Sequence, residues 1–513
     1  MPVQNVDRIQ TIGIVGAGAM GRGIAQIAAA AGVEVLLYDA NAEATLAATG
    51  QICAMFDRLE SKGKMSEAEV ANAKWCLKAV GELSDMAPCD LVIEAVVERI
   101  DVKQGIFKAL EATVDEICIL ATNTSSLSVT EIAQVCTHPE RFVGFHFFNP
   151  APLMKIAEVI EGIRTSPAVS DALVSFTHKI GHTPVRTKDM PGFIVNHAGR
   201  AMNTEGLKVL GEGVASPQQI DAIMREQAGF KLGPFELLDL TGLDVSQPVM
   251  EAIYHQFYEE PRFRPSPIAK ARLAGGLLGR KSGDGFYTYV DGKQSTSNEI
   301  SKLGALPAKV WISKRHPSAA QRVLELIKQT SVMIDDTDQP DDESLILLTP
   351  FGTDATTAAV EEGLDATRVI AIDALFSFST GKRVTLMTTP VTRESTRSQA
   401  HALFGSSGSP VTIIRDSTGF VAQRIVAMIV NTGCDIAQQE IATPADIDLA
   451  VKLGLAYPMG PFELGDHIGA KIILKILKNI HQSSGDPRYR PSPWLTRRAL
   501  LEISLKTEEL KIN

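Results

Sequence analysis

The sequence predicts a doubly wound, mainly parallel α/β domain followed by an all-α helical domain, and then a degraded second copy of both. Three observations predict it. A glycine-rich turn near the N-terminus lies between an apolar strand and an alanine-rich helix. Strand-like and helix-like stretches alternate behind that turn. The second half then repeats the helical part of the first half at a nearly constant shift. At 513 residues the chain is too long for one hydrophobic core. The expected domains are 1–189, 190–290, 291–415 and 416–513.

Composition removes several function classes. A net charge of −10 argues against a nucleic-acid footprint, which would need a clustered basic face, and fits poorly with a polybasic membrane anchor. No segment approaches the roughly 20 uninterrupted apolar residues of a spanning helix. Met1–Arg8 is short and polar, so no signal peptide is expected. Cys53, Cys76, Cys89, Cys118, Cys136 and Cys434 show neither CxxC nor histidine-paired spacing. A disulfide framework or metal site is therefore not expected; buried thiols in a reducing cytoplasm are.

The first element reads as a strand, Ile9–Val15, followed at once by Gly16-Ala17-Gly18-Ala19-Met20-Gly21-Arg22-Gly23. A helix, Ile24–Ala31, and a second strand, Val33–Tyr38, come next, and that strand ends in Asp39. The order is what a dinucleotide requires. Gly16 permits a tight turn, Gly18 lets the backbone approach a pyrophosphate, and Gly21 lets helix and strand pack closely. The helix N-terminus supplies unpaired N–H donors to the phosphates. Asp39 stands where a carboxylate accepts bonds from ribose hydroxyls and repels a 2′-phosphate, which favours NAD over NADP. FAD shares this Rossmann fingerprint, so the choice of nicotinamide has to come from the rest of the chain.

Further strands are expected at Asp90–Ala95, Ile117–Thr122 and Phe142–Phe147, with helices around Val102–Ala112 and Val129–Val135 between them. Ligands of such sheets gather at the carboxyl ends of strands, and three polar clusters lie there. Asn123-Thr124-Ser125-Ser126 follows one strand. His146 ends the next, within Gly144-Phe145-His146-Phe147-Phe148-Asn149-Pro150. Glu158 interrupts the apolar run Lys155–Ile160.

With these motifs in place, the chain resembles the 3-hydroxyacyl-CoA dehydrogenase family, which carries NTSS, HFFNP and an apolar-framed glutamate in this order. Pro191-Gly192-Phe193-Ile194-Val195-Asn196 and the Gly279–Gly283 and Gly285–Tyr287 segments match further family signatures. The resemblance implies His146 as general base, Glu158 as its partner, and Ser125 and Asn196 as groups holding the substrate oxygens. It also implies NAD, with Glu98 near the nicotinamide ribose; Met20, Lys103 and Asn123 are assigned to the same cofactor cradle. Lys62 and Lys64 are candidates for CoA phosphates, although a solvated charged face suits that stretch better. The residue types make chemical sense on their own. Oxidising a secondary alcohol needs a base that works near neutral pH, and histidine does. A carboxylate on its other ring nitrogen fixes the tautomer.

The second half is a copy. At a shift of 227, residues 217–242 match 444–469 at 10 of 26 positions without a gap, including Gly233–Leu237 over Gly460–Leu464. Arg264-Pro265-Ser266-Pro267 recurs as Arg490-Pro491-Ser492-Pro493. The catalytic positions do not recur: Ser125 falls on Gly352, His146 on Asp373, Glu158 on Thr385 and Asn196 on Gln423. No GxGxxG precedes them, and the copy's α/β part is shortened to strand-like Val310–Ile312 and Ser331–Ile334 with a surface loop at Asp335–Glu343. Ser216-Pro217 and Thr443-Pro444 each read as an N-cap with proline at the first helical position; the first of these helices should reach about Gly229. The second half is expected to be structural, pairing the two helical domains within one chain, with a homodimer possible.

The expected reaction is NAD-dependent oxidation of an (S)-3-hydroxyacyl-CoA to the 3-oxoacyl-CoA. The tandem layout resembles bacterial family members of aromatic-acid breakdown such as phenylacetate catabolism, which implies 3-hydroxyadipyl-CoA; 3-hydroxybutyryl-CoA stays open. A dehydrogenase of a hydroxy acid without CoA, and a mainly structural NAD-binding partner in a β-oxidation complex, are the competing readings.

Overall fold

The computed structural model describes residues 9–295, 304–379, 381–406 and 408–510. The Met1–Arg8 segment, read above as lacking a signal peptide, lies outside the described residues. The chain forms two compact units: residues 1–197 with 439–455, and residues 198–438 with 456–513.

The first unit is built on eight strands: β1 (Thr11–Val15), β2 (Glu34–Tyr38), β3 (Leu77–Ala79), β4 (Leu91–Glu94), β5 (Ile119–Thr122), β6 (Phe142–Phe147), β7 (Ile156–Glu161) and β8 (Thr183–Lys188). Their order is β3-β2-β1-β4-β5-β6-β7-β8. All neighbours run parallel except β6 and β7, where His146 stands directly opposite Glu158. The strands read as short apolar runs because helices cover both faces. Ile24, Phe56 and Phe176 bury one face; Phe107, Leu110 and Ile132 bury the other. The first helix starts at Ala19, five residues earlier than its apolar pattern announces, with Gly18 as N-cap. Gly21 and Gly23 therefore lie inside its first turns, which their small size permits.

The second unit holds another sheet: β11 (Lys309–Ile312), β12 (Met333–Asp335), β13 (Ser344–Leu348), β14 (Val369–Ile372), β15 (Val384–Thr388) and β16 (Val411–Ile414); a two-stranded hairpin, β9 (Tyr289–Val290) and β10 (Lys293–Gln294), precedes it in the chain. The order is β12-β11-β13-β14-β15-β16, and only β14–β15 is antiparallel, repeating the β6–β7 reversal of the first sheet. The sheet is a trimmed relative of the first. The expected surface loop is present at 336–343, which is mostly exposed, and only its first residue is corrected: Asp335 is not part of it. Asp335 ends β12, is buried, and accepts hydrogen bonds from Ser344 Oγ at 2.6 Å and Asp341 N–H at 2.9 Å. The Ser344 hydroxyl, with Thr337 and the Asp341 amide, holds its carboxyl well below the usual carboxylate range.

The two helical copies exchange elements. Helix Pro444–Leu455 belongs to the second copy yet packs within the first unit, beside β8, where Lys188 N–H donates to Ile441 O at 2.8 Å. The first copy's helix opens as expected, with Ser216 capping Gln219 N–H and Pro217 at N1; Thr443 repeats the cap on Asp446 N–H at 3.1 Å. It does not run regularly to Gly229. After Ala222 it widens into a π-helical turn, Ile223–Gln227, whose side chains reach the second sheet. Glu226 pairs with Arg383 at 2.9 Å, and Gln227 Oε1 accepts from Thr385 Oγ1 at 2.5 Å. A single extra residue per turn is the usual device for re-aiming side chains within a helix.

Within the second unit the copies also touch at equivalent positions. Arg262 Nη2 donates to Arg490 O and Arg488 Nη2 to Arg264 O, each at 3.1 Å. Phe230 and its counterpart Tyr457 meet edge to face, 5.0 Å between centroids. Buried Arg424 donates to Glu205 Oε1 at 2.8 Å, and Tyr489 OH donates to the same oxygen at 2.8 Å. No described helix is long and apolar enough to cross a membrane.

Candidate active site

The glycine turn occupies the carboxyl end of β1, at the centre of the first sheet. Each of its three key glycines is explained by what a side chain would meet. Gly16 has φ +111°, and a Cβ there would sit 2.6 Å from the Ala95 carbonyl oxygen. At Gly21 a Cβ would overlap the Gly16 carbonyl oxygen. At Gly18 a Cβ would meet nothing within 4 Å, so this is the open side of the turn, where a pyrophosphate could approach the backbone. Asp39 Oδ2 accepts from Ala17 N–H at 2.8 Å, bracing the turn from the end of β2, while Oδ1 accepts from Asn41 N–H at 3.0 Å. These residues fit the ADP half of a dinucleotide. Met20 lies in the first turn of the helix beside them.

The next strand ends carry a connected polar network that the sequence only partly announced. Glu94, at the end of β4, is fully buried and bonds Lys103 Nζ and Thr122 Oγ1, both at 2.7 Å. Lys103 is 1% exposed and also reaches Glu98 at 3.3 Å, so its charge is spent on two carboxylates. Glu98 Oε1 gathers Thr124 Oγ1 (2.7 Å), Ser125 N–H (2.9 Å) and Ser126 N–H (3.0 Å). Burial pushes its carboxyl up, but Lys103 and these donors outweigh burial and hold it below the usual glutamate range. Glu98 thus pins the NTSS loop. Asn123 Oδ1 accepts from Phe147 N–H at 2.8 Å and clamps β5 to β6. Ser125 does not cap the following helix; Ser128 does.

His146 and Glu158 face each other across the antiparallel β6–β7 pair. Nδ1 lies 2.7 Å from Glu158 Oε2; the histidine is 5% exposed and the glutamate 0%. Glu158 Oε1 accepts from Ile194 N–H at 3.0 Å and Val195 N–H at 2.9 Å, the amides that open helix Val195–Gly211. A carboxylate accepts only, so the nitrogen facing it carries the hydrogen and Nε2 is left with its lone pair. The rings of Phe148 (4.4 Å) and Phe193 (5.9 Å) wall the imidazole. Asn196 stands one residue beyond the amides that hold Glu158, in the first turn of the same helix. Gly454, from the second copy, presses on this turn: a Cβ there would come 2.9 Å from Val195 Cγ2.

A cavity of about 660 Å³ lies beside the glycine turn, between Arg22 and Gly23, Met55–Leu59, and the Asn149–Leu153 loop that leaves β6. Lys62 and Lys64 do not line it; Arg22, Lys155 and Lys179 are its basic residues, which the sequence did not single out. Lys62 and Lys64 sit exposed after helix Ala42–Ser61. Among the described residues no group of three or more His, Cys, Asp or Glu side chains could hold a metal ion.

The aligned positions of the second copy also gather, but they bond to one another. Gln423 Nε2 donates to Asp373 Oδ1 at 3.0 Å and its Oε1 accepts from Gly352 N–H at 2.9 Å. Thr385 Oγ1 is taken by Gln227. A Cβ at Gly352 would sit 2.6 Å from the Ile476 carbonyl oxygen, so helix Ala470–Ser484 fills the space over this site. Burial pushes the Asp373 carboxyl up to about 6 despite the Gln423 donor. An unfolded aspartate releases its proton near 3.8, so between about pH 4 and 6 the folded chain holds the extra proton and stability falls as pH rises. The loss reaches at most about 3 kcal/mol above that window. Asp373→Asn should remove this slope. Denaturant curves at pH 4 and 7 check it, and a wild type and variant that change in parallel would contradict it.

Comparison with known proteins accords with this geometry. The model of the 3-hydroxyacyl-CoA dehydrogenase NAD-binding domain matches residues 11–190, and that of the family's C-terminal domain matches twice, at 192–289 and 419–508. The chain is 37% identical to the 3-hydroxyadipyl-CoA dehydrogenase of Escherichia coli (strain K12) over 96% of its own length and 98% of the relative's. It is 39% identical to the 3-hydroxybutyryl-CoA dehydrogenase of Bradyrhizobium diazoefficiens, over 56% of this chain and 97% of that one. The crystal structure of a 3-hydroxybutyryl-CoA dehydrogenase from Escherichia coli K12 superposes with a TM-score of 0.86 at 35% identity, covering 96% of this chain and 99% of that one. The chain therefore belongs to the 3-hydroxyacyl-CoA dehydrogenase family, an NAD-dependent enzyme with its family's C-terminal domain present twice.

Proposed function

We propose that the chain oxidises the 3-hydroxyl of an (S)-3-hydroxyacyl-CoA at His146, and that the acyl chain is the dicarboxylic 3-hydroxyadipyl group. The observation that carries the first part is the His146–Glu158 pair, 2.7 Å apart and buried, with the second glutamate oxygen fixed by two backbone amides. Nε2 takes the hydroxyl proton as the carbonyl forms. Glu158, already held by two donors, stabilises the imidazolium without having to move. Bound NAD supplies the acceptor for the hydride leaving C3. Ser125 and Asn196 orient the substrate oxygens, one from the loop that Glu98 pins and one from the helix turn that Glu158 anchors. Asp39, Met20, Glu98, Lys103 and Asn123 shape the cofactor cradle, the last three by bracing its loops. The cavity beside Arg22, Lys155 and Lys179 is of the size of a ligand pocket and takes the CoA arm, with Lys62 and Lys64 outside it.

On this reading the domains run 1–189, 190–290, 291–415 and 416–513, and the second half has no reaction of its own. The reciprocal Arg262–Arg490 and Arg488–Arg264 bonds support an intramolecular pairing of the two helical copies. The six free thiols suit a reducing cytoplasm.

The dicarboxylic reading rests on the relative that spans both copies. Steady-state consumption of NADH with 3-oxoadipyl-CoA and acetoacetyl-CoA tests it. A kcat/KM at least about 10-fold higher for 3-oxoadipyl-CoA is expected, the worth of one charged contact at the distal carboxylate. A preference for acetoacetyl-CoA would overturn the adipyl assignment, and turnover of neither would overturn the reaction itself.

A further inference from the structure

One helix of the second copy stands against the catalytic pair of the first sheet. Helix Pro444–Leu455 packs on β7, which carries Glu158, and on β8. It is tied down at its entry: Ile441 O accepts from Lys188 N–H at 2.8 Å, and Glu440 pairs with the Lys188 ammonium at 3.5 Å. Glu440 and Ala456, on either side of the helix, hold left-handed backbone at φ 52° and 55°. The first copy places Gly213 and Gly229 at these positions, 227 residues earlier, with φ 68° and 80°. A residue with a side chain adopts this region at a cost, and such strain persists only where the surroundings over-determine it. The second copy has therefore kept the geometry that delivers this helix to β7 without the glycines that make it easy.

The helix meets the site through Gly454. Glycine is a poorer helix former than alanine, so its place in the last turn needs a reason. Space supplies one. A Cβ at Gly454 would stand 2.9 Å from Val195 Cγ2 and 3.0 Å from Cγ1, and Val195 is a buried residue with no room to turn aside. The amides of Ile194 and Val195 are the two that hold Glu158 Oε1, at 3.0 and 2.9 Å, while Oε2 faces His146 Nδ1 at 2.7 Å. The aligned residue of the first copy is Gln227, and its side chain does bond the sheet that its own helix covers. Gln227 Oε1 accepts from Thr385 Oγ1, at the position aligned with Glu158. Where that position carries threonine, a glutamine engages it. Where it carries Glu158, a glycine leaves the carboxylate to the two amides and to His146.

We propose that Gly454 is a positioning residue for the catalytic pair of the first copy. By fitting against Val195 without a side chain, it lets helix Pro444–Leu455 back the Ile194 and Val195 amides that fix Glu158 on His146. The proposal rests on the His146–Glu158 reading above. It gives the second half a part in the reaction without a reacting group: Gly454 acts through Val195 and Glu158.

Steady-state NADH oxidation with 3-oxoadipyl-CoA by the full chain tests the proposal. Gly454→Ala should lower kcat about 10-fold, the order expected when a catalytic group shifts by a fraction of an ångström. KM and NADH affinity should stay within about 2-fold. In a Val195→Ala background the nearest side-chain atom left to the new methyl is the Cβ of residue 195, at 3.6 Å, an ordinary contact. Gly454→Ala should cost nothing further there, so the double variant should match Val195→Ala within about 2-fold. This cycle reads the contact itself and not overall stability, and circular dichroism should show each variant folded at the assay temperature. A Gly454→Ala kcat within about 2-fold of wild type, a loss carried by KM, or the same loss with and without the Val195 side chain would overturn the proposal. Glu158→Gln, assayed alongside, separates its failure from that of the reading beneath it. A large kcat loss there with none in Gly454→Ala rejects only the part given to the helix. A kcat retained in Glu158→Gln rejects the catalytic pair and this proposal with it.

Discussion

His146→Gln should lower kcat by about 10²–10⁴-fold, the range that a positioned general base contributes. The substitution keeps a side chain able to donate to Glu158 and fill the space between Phe148 and Phe193. It removes the lone pair on the far side of the ring, which is the feature that the proposed proton transfer uses. NADH binding should stay within about 2-fold, because His146 is not among the residues that brace the glycine turn. Stopped-flow NADH oxidation with a 3-oxoacyl-CoA, beside a direct NADH titration, separates the two quantities. A kcat within about 10-fold of wild type would remove His146 from the proton transfer.

Gly21→Ala should abolish measurable NADH binding, weakening it by about 100-fold or more. Its new Cβ would overlap the Gly16 carbonyl oxygen and crowd Ile14 Cγ2 at 3.2 Å. Neither can yield cheaply. Gly16 is held by its own N–H bond to Tyr38 O at 2.8 Å and by φ +111°, and Ile14 is a fully buried core residue of β1. The helix must therefore move away from the turn, carrying its phosphate-facing amides with it. Overpacking of this kind costs about 1–3 kcal/mol in stability, which a folded domain of this size survives. Fluorescence titration with NADH reads the loss, and circular dichroism shows that the fold remains.

The parts of the site that local sequence can express were legible. The glycine spacing, Asp39, and the polar ends of β5 and β6 all follow from one strand or one turn at a time. Glu158 stood out because a carboxylate inside an apolar strand needs a reason, and the same signal at Glu94 marks the other buried carboxylate of the sheet. What local sequence could not express are bonds between distant strands. Glu98 pins the loop at Thr124–Ser126 across 26 to 28 positions, and Lys103 reaches Glu94 from a helix on the far side of a turn. A charged residue in a helix looks the same whether it faces solvent or a buried acid. The duplication was visible as identities, but the exchange was not. Nothing in residues 444–455 distinguishes a helix covering its own copy's sheet from one covering β8 of the other. The π-turn at Ile223–Gln227 escaped for a related reason: its hydrophobic period is that of an ordinary helix, and contacts of Glu226 and Gln227 with the second sheet accompany its widening.

The chain carries two sets of aligned positions, and on the proposed reading only the first retains groups suited to the reaction. In the second, Asp373, Gln423 and Gly352 are bonded to one another, and the Ile476 backbone stands over them. The most direct measurement is the rate of NADH oxidation with 3-oxoadipyl-CoA by Asp373→Asn, set beside His146→Gln and wild type. One working site predicts that Asp373→Asn retains kcat within about 2-fold while His146→Gln loses nearly all of it. Comparable losses in the two variants would contradict it.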